Sequence, residues 1–205
     1  MTLQQRADAY AAAFPTRPPL QIVTEGKGKT AHDVIYGQFV CGNDYTNKTR
    51  YYGAYPHGYL ERVMALFPDE VARVGSSCRH RILHAFSGSL PQGGYDRCDV
   101  SQDAEWDCSV VELPFLTADH QWQLILADPP YSKEDAKKYN APMVDRGRAT
   151  RALAEVCRIG GYLVWLDCCW PMHRKSQWRT VGRIGLTRST NHRTRMVTIF
   201  ERVSA

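Results

Sequence analysis

A short apolar run that ends in two consecutive prolines constrains this chain more than any other feature of its sequence. The run Trp122–Ala127 has the length of a buried strand, and Asp128, Pro129, Pro130 and Tyr131 follow it directly. Proline fixes φ and restricts the residue before it to extended backbone, so the loop after the strand is stiff. Ligands of open α/β sheets bind beyond the carboxyl ends of the strands. The sequence therefore predicts a ligand site here, built from a carboxylate, backbone carbonyls and one aromatic ring.

This set of groups suits a flat ligand that carries an amino group. A carboxylate and a carbonyl can accept hydrogen bonds from its two N–H groups, and an aromatic ring can stack on a nucleobase. The four residues resemble the Asp/Asn/Ser-Pro-Pro-Tyr/Phe/Trp motif of amino-methyltransferases that use S-adenosylmethionine (SAM). The resemblance implies that Asp128, Pro129, Pro130 and Tyr131 are catalytic residues. It also implies methyl transfer to N6 of adenine in DNA, while N4 of cytosine and an RNA substrate stay open.

Strand and helix patterns alternate along most of the chain. Strands are predicted at 34–40, 81–86, 110–115, 122–127, 162–166, 180–186 and 196–203, and a further short strand is predicted to end near Asp99. Helices are predicted at 59–66 and 146–156. Gly160 and Gly161 are expected to end the second helix. This alternation predicts an α/β fold, a Rossmann-like, doubly wound and mostly parallel sheet with an antiparallel C-terminal hairpin.

The length of 205 residues fits one domain. We expect an irregular N-terminal extension at 1–32, with a short helix near Tyr10, and a methyltransferase domain at 33–205. The segment 26–30 reads Gly-Lys-Gly-Lys-Thr, but Val23 stands where a phosphate-binding loop requires glycine. A basic loop is therefore predicted there.

A second part of the expected site lies about forty residues before the double proline. Phe86, Ser87, Gly88 and Ser89 follow a predicted strand and are similar to the Phe-x-Gly-x-Gly motif of the same methyltransferases, with Ser89 in place of the second glycine. The resemblance implies that these four residues bind SAM. Glycine at such a turn lets the backbone approach a ligand closely.

Three further positions are candidates for SAM contacts. Asp99, at the end of the second strand, is expected to hold ribose hydroxyls, with Asp96 as the alternative. The resemblance also implies a residue beside the adenine ring of SAM, which stays open among Asp107, Cys108 and Ser109, with Cys108 as the candidate. Tyr55 and Pro56 belong to a weak match, Pro-x-Gly, to the family segment that contacts the methionine part of SAM. Along the chain, the segment expected to contact the methionine part of SAM comes first, then the glycine motif, then the double-proline motif. This order resembles that of the amino-methyltransferase classes without a circularly permuted chain.

Basic residues are concentrated near the end of the chain. The net charge is +5, and the stretch 170–200 holds seven Lys or Arg but no Asp or Glu. A cluster of one sign favours an anionic polymer as partner. The predicted partner is DNA, with the target base flipped out or already single-stranded. The candidate nucleic-acid contacts are Lys133, Arg174, Lys175, Arg188, His192, Arg193 and Arg195.

Other classes of protein are disfavoured. The seven cysteines include no Cys-x-x-Cys pair, so neither a metal site nor a disulfide framework is predicted. The chain shows no signal peptide and no run long enough for a membrane helix. We therefore expect the cytoplasm of a bacterial or phage-infected host cell. The compact size resembles stand-alone enzymes of phages and mobile elements, which makes a phage or restriction-modification setting the expectation. The alternative of another class is a catalytically inactive nucleic-acid-binding module on the same scaffold, favoured by Ser89 and by a short first crossover.

Overall fold

The computed structural model describes residues 1–42, 55–72, 81–100, 103–117, 121–189 and 191–203, without the side chains of 72 and 191–193. The strands are β1 (Gln21–Glu25), β2 (His32–Cys41), β3 (Ile82–Ala85), β4 (Asp96–Asp99), β5 (Trp106–Asp107), β6 (Trp122–Ala127), β7 (Cys157–Asp167), β8 (Trp178–Arg188) and β9 (Asn191–Arg202). The helices are α1 (Leu3–Ala13), α2 (Tyr59–Leu66), α3 (Pro68–Ala72), α4 (Leu113–Leu116), α5 (Lys133–Lys138) and α6 (Arg146–Val156), with a 3-10 turn at Gly28–Thr30.

All nine strands form one sheet in the order β1-β2-β8-β9-β7-β6-β3-β4-β5. Strands β2 to β8 share one direction, whereas β1 and β9 run antiparallel to their neighbours. Taken alone, the run β5-β4-β3-β6-β7 has the order 3-2-1-4-5 of a doubly wound sheet. This topology confirms the predicted fold class. The hairpin partner β9 lies between β7 and β8 and is therefore an interior strand.

The sheet is buried on both faces around β6, where Leu124, Ile125, Leu126 and Ala127 are all fully buried. Successive side chains point to opposite faces. Leu124 and Leu126 of β6 pack with α1 and α2 on one side, which we call the α2 face. Ile125 and Ala127 pack with α4 and α6 on the other side, the α6 face. Any polar side chain that continues one of these rows therefore stays on the same face at the strand end.

Helix α6 starts as its sequence predicts but ends differently. Asp145 is the N-cap, and its side chain accepts a hydrogen bond from the backbone N–H of Arg148 at 2.9 Å. The helix ends at Val156 and passes directly into β7, so the prediction that Gly160 and Gly161 end it is wrong. They lie in β7, where Gly160 has φ +75° near a shift in register against β6. A bulge at this point explains why glycine is needed inside the strand.

Within 1–32, the short helix expected near Tyr10 is present as α1, whereas the rest is not irregular, since it contains β1. Helix α1 begins with a capping box between Thr2 and Gln5, and Tyr10 is buried in the core on the α2 face. Arg6 is buried too, and it forms a salt bridge of 2.8 Å with Glu70. Strand β1 adds an antiparallel edge to the sheet. Tertiary contacts with residues some sixty positions away order this segment.

The connections between strands differ from the prediction before β6 and after it, and agree with the prediction between β3 and β4. The third strand is not 110–115 but the short β5, and the segment that follows contains α4. The loop after Tyr131 contains α5, capped by Ser132, whose hydroxyl accepts from the N–H of Asp135 at 3.1 Å. The connection from β3 to β4 contains no helix, which confirms the expected short first crossover. No helix among the described residues is long and apolar enough to cross a membrane.

Candidate active site

The double-proline loop leaves the sheet at the point where the strand order reverses. Strands β3 and β6 are parallel neighbours. The chain continues from β3 toward β4 on one side and from β6 toward β7 on the other. Such a switch point leaves a crevice at the carboxyl edge. Asp128 follows β6 and Phe86 follows β3, so both lie at this edge. The ring of Phe86 packs on the α6 face, with its centroid 6.1 Å from that of Trp165.

Asp128 continues the row of Leu124 and Leu126, so it lies on the α2 face. It is partly buried, and its Oδ1 accepts a hydrogen bond of 2.5 Å from the hydroxyl of Tyr131. Burial raises the pKa of Asp128 to about 6, although the Tyr131 hydrogen bond and the positive charge of Arg195 oppose the rise. The carboxylate is therefore ionised at neutral pH, yet it protonates far more readily than an ordinary aspartate.

The ring of Tyr131 is held from two sides. Its hydroxyl donates to Asp128, and the guanidinium carbon of Arg195 lies 4.8 Å from the ring centroid. A guanidinium over an aromatic face is a favourable cation–π contact. Burial and the charge of Asp128 raise the pKa of Tyr131 well above its usual value, so its hydroxyl stays a donor.

A buried ion pair supports this loop from the α6 face. Asp167 ends β7, and Arg146 opens α6; Nε donates to Oδ2 at 2.6 Å and Nη2 to Oδ1 at 3.0 Å. The same Nη2 donates to the carbonyl of Tyr131 at 3.3 Å. Trp165 and Cys168 also donate to Asp167. This pair was not predicted, although Asp167 follows an apolar run just as Asp128 does.

The turn after β3 has an unusual backbone. Phe86 has φ +58° and Gly88 has φ +54°. Positive φ is uncommon outside glycine, and strained residues of this kind concentrate at functional sites. The N–H of Gly88 donates to Oδ2 of Asp99 at 2.8 Å. The structure thus brings Gly88 and Asp99 together, whereas the alternative, Asp96, accepts from the Trp122 indole on the α6 face.

A cavity of about 220 Å³ opens between this turn and the segment before α2. Tyr55 and Pro56 line one side, and Ser87 and Ser89 line the other. Two of the separately predicted segments therefore meet at one cavity. The hydroxyl of Ser87 is buried, and no hydrogen-bond partner for it lies within the described parts of the chain.

Aromatic side chains and one histidine lie beside this cavity. His84 is fully buried, with Nδ1 3.3 Å from the hydroxyl of Tyr55, and burial lowers its pKa to about 3. Tyr55 stacks on Tyr59 with ring centroids 5.4 Å apart. Among the residues that the structure describes, neither Nε2 of His84 nor the hydroxyl of Tyr59 has a partner. These polar atoms were missed because His84 sits inside an apolar strand pattern.

Cys108 lies away from this cavity. Its sulfur is 4.0 Å from that of Cys98, whose thiol donates to the Cys108 carbonyl at 3.3 Å. Cys108 is half-buried beside β4 and β5. Neither Cys108 nor Asp99 is among the residues that line the cavity. Their roles toward SAM stay predictions.

The predicted basic surface is divided by the fold. Arg188 ends β8 and Arg195 lies near the start of β9, so both reach the carboxyl edge beside Tyr131. Arg174 and Lys175 directly precede β8, which places them at the opposite edge. Lys133 is exposed at the start of α5. The side chains of His192 and Arg193 lie outside the described residues.

Other basic residues of the same stretch are paired with acids from elsewhere in the chain. Arg179 forms a salt bridge of 2.5 Å with Glu201. Arg183 pairs with Glu25 of β1 and lies over the Trp170 ring. A stretch without acidic residues in the sequence is therefore partly neutralised in the folded protein.

No protein-family model and no curated protein matches this chain. Several solved structures resemble it weakly, three of them as follows. An rRNA methylase from Streptococcus thermophilus is 9% identical over 69% of this chain and 96% of its own, with a TM-score of 0.40. The putative methyltransferase YhhF from Escherichia coli is 9% identical over 90% and 100%, with a TM-score of 0.39. TrmN from Thermus thermophilus is 14% identical over 96% and 65%, with a TM-score of 0.43. At TM-scores below 0.5 these likenesses carry no weight, and the fold rests on the sheet order itself.

Proposed function

We propose that this chain is a SAM-dependent methyltransferase that acts on N6 of adenine in DNA. The observation that carries the proposal is the position of Asp128, Pro129, Pro130 and Tyr131 at the switch point of a doubly wound sheet. The cavity beside the Phe86 turn supports it, as do Arg188 and Arg195 at the same edge, which form no salt bridge with the residues that the structure describes.

The acceptor half of the reaction follows from the chemistry of an aromatic amine. Its lone pair is delocalised into the ring, so the nitrogen is a poor nucleophile. The Asp128 carboxylate and the Pro129 carbonyl would accept hydrogen bonds from the two N–H groups of the amine. These hydrogen bonds favour a tetrahedral nitrogen and free its lone pair. Such oriented acceptors also stabilise the positive charge that develops on nitrogen. Tyr131 would stack on the base, and only a flipped or unpaired base can reach it.

The donor half requires a place for SAM, which supplies an electrophilic methyl group when bound. Tyr55, Pro56, Ser87 and Ser89 fit this part, since they line a cavity that contains the unpaired hydroxyl of Ser87. A cavity of about 220 Å³ is smaller than a usual cofactor pocket, so it fits a portion of SAM.

Calorimetry tests the donor site. Gly88→Val places a β-branched residue at positive φ, which is strained, and Asp99→Ala removes the acceptor of the Gly88 N–H. Both variants should bind SAM more weakly than the natural chain. SAM affinity equal to that of the natural chain in both would contradict the assignment of this turn to SAM.

The activity is tested with unmethylated DNA, SAM and nucleoside mass spectrometry. N6-methyladenine is the expected product, and Asp128→Ala is the negative control. Detection of N4-methylcytosine instead would show that cytosine, and not adenine, is the target base. Methylation of RNA alone would replace DNA by RNA as the substrate.

A catalytically inactive nucleic-acid-binding module is the second candidate. The hydrogen bond from Tyr131 to Asp128 favours it, because the carboxylate already has a partner. SAM binding separates the two candidates. Nucleic-acid binding without any affinity for SAM would support the inactive module.

A further inference from the structure

Two arginines face the candidate site from the hairpin of β8 and β9. Ile184 and Leu186 point to the α2 face, so Arg188, two residues further, continues their row. Val197 places Arg195 on that face by the same alternation. Both side chains are partly buried. They therefore lie on the same face and the same edge of the sheet as Asp128.

Other arginines of this chain form salt bridges, whereas these two guanidinium groups form none with the described residues. Arg146, Arg179 and Arg183 each form a salt bridge. Within the described parts of the chain, Arg188 and Arg195 form none, and Nε of Arg188 is buried without a hydrogen-bond partner. Burial, and then the like charge of Arg195, lower the pKa of Arg188. The negative charge of Asp128 acts on both guanidinium groups. Two partly buried cations against one carboxylate still favour an added anion.

The geometry points to a phosphate group as that anion. Guanidinium donors form a planar fork that matches phosphate oxygens, and such charge-assisted hydrogen bonds are strong. Arg195 lies over the ring of Tyr131, so its ligand must sit beside the base-stacking position. A free base, a nucleoside or an amide side chain would bring no anion to this place. A nucleotide within a strand brings its phosphodiester together with the base.

We propose that Arg188 and Arg195 form a subsite for the phosphodiester of the target nucleotide itself. The inference rests on the proposed function and assigns its substrate class: a polynucleotide strand, gripped beside the amine acceptor. Arg195 then exchanges its contact with the Tyr131 ring for the phosphate as the base enters. Arg188 and Arg195 are positioning residues, because they hold the nucleotide and do not touch the reacting amine.

Single-stranded oligodeoxynucleotides with one adenine test the subsite. One form carries normal linkages, and two others carry a neutral methylphosphonate directly 5′ or directly 3′ of the adenine. We expect the natural chain to bind one methylphosphonate form about tenfold or more weaker than the normal form. Arg188→Met and Arg195→Met should bind weakly and no longer distinguish the forms. Equal binding of all forms by the natural chain would overturn the subsite.

Arg179→Met is the matched control. It removes an arginine of the same strand, but one that is paired with Glu201 far from Asp128. This variant should keep the discrimination of the natural chain. With single strands, each lost phosphate contact should shallow the log–log salt slope by about 0.7. If the salt slope changed as much in Arg179→Met as in Arg188→Met, the oligonucleotide would respond only to the net charge of the protein and not to a phosphate subsite.

Thermal unfolding separates a binding role from a structural one. Arg188→Met removes a partly buried cation that forms no salt bridge with the described residues, so its Tm should equal or exceed that of the natural chain. Oligonucleotide should raise the Tm of the natural chain and have little effect on the variant. A lower Tm for Arg188→Met without oligonucleotide would show that the guanidinium supports the fold, and would overturn the inference.

Nucleoside mass spectrometry on the same oligonucleotides keeps this inference apart from the proposed function. Methylation of DNA with no effect of the methylphosphonate would leave the function standing and refute the subsite. Discrimination between phosphate and methylphosphonate without methylation would support the subsite and count against the function. Parallel oligoribonucleotides show whether DNA or RNA supplies the phosphate.

Discussion

The ends of β6 and β7 carry the same local sequence pattern and differ in almost everything else. Asp128 and Asp167 each follow an apolar strand, and the strands are parallel neighbours. Asp167 is fully buried on the α6 face, where Arg146, Trp165 and the backbone of Cys168 all donate to it. Asp128, on the α2 face, is only partly buried and accepts a hydrogen bond from Tyr131.

The difference shows how to separate a supporting carboxylate from a reactive one. The hydrogen bonds of Asp167 come from rigid elements, so this side chain fixes the loop that contains Tyr131. The pKa of Asp128 is raised to about 6 because burial is not fully compensated. A group in a crevice with a shifted pKa is a candidate for a catalytic role, whereas an ion pair whose hydrogen bonds are all formed is a candidate for a structural role. The two aspartates should therefore respond to substitution in opposite ways.

Asp128→Ala should abolish methyl transfer and leave the fold intact. Loss of one oriented acceptor commonly lowers turnover about a hundredfold or more, which corresponds to about 3 kcal/mol. SAM affinity should stay within a few fold, because the carboxylate acts on the target amine. Turnover and calorimetry on the same preparation provide the check, and near-normal turnover would contradict the catalytic role.

Asp167→Ala should act mainly on stability. Removal of one partner from a buried ion pair leaves the other charge uncompensated, and we expect a loss of about 3 kcal/mol in the free energy of unfolding. The side chain of Arg146 is 19% exposed, which limits the effect. Urea unfolding measures it. The double variant Asp167→Ala, Arg146→Met should recover part of the loss, and additive losses would mean that the two residues are not coupled.

Tyr131→Ala should lower activity more than Tyr131→Phe. The ring is expected to stack on the base, and such stacking contributes about 1–3 kcal/mol. Tyr131→Phe keeps the ring but removes the hydrogen bond that lowers the pKa of Asp128. Steady-state rates of both variants against the natural chain measure the effect. Equal losses would assign the role to the hydroxyl.

The smallest expected effect is the pH dependence of the natural chain. Because the pKa of Asp128 is about 6, turnover should fall as the pH drops through 6 and the carboxylate is protonated. In Tyr131→Phe this acid limb should move to higher pH. The folded pKa lies above the usual value, so the contribution of Asp128 to stability is present at low pH and is lost as the pH rises through 6. Asp128→Asn should lack both dependences, and their persistence would assign them to another group.

Local patterns predicted much of this molecule correctly. The strand before Asp128, the strand that ends at Asp99 and the helix Arg146–Val156 follow from apolar periodicity. The placement of Gly88 beside Asp99 follows from the order of strands in a doubly wound sheet. In contrast, 110–115 was wrongly predicted as a strand, because a short apolar run fits a buried helix equally well.

The sequence by itself determined the alternation of strands and helices, the stiff loop at Asp128 and the sheet class, because these depend on residues close together in the chain. The tertiary structure alone decided which charges meet. It placed Arg188 and Arg195 beside Tyr131, moved Arg174 to the opposite edge, and joined Arg6 of α1 to Glu70. The insertion of β9 between β7 and β8 set these neighbours. Such contacts join residues far apart in sequence, and no local propensity encodes them.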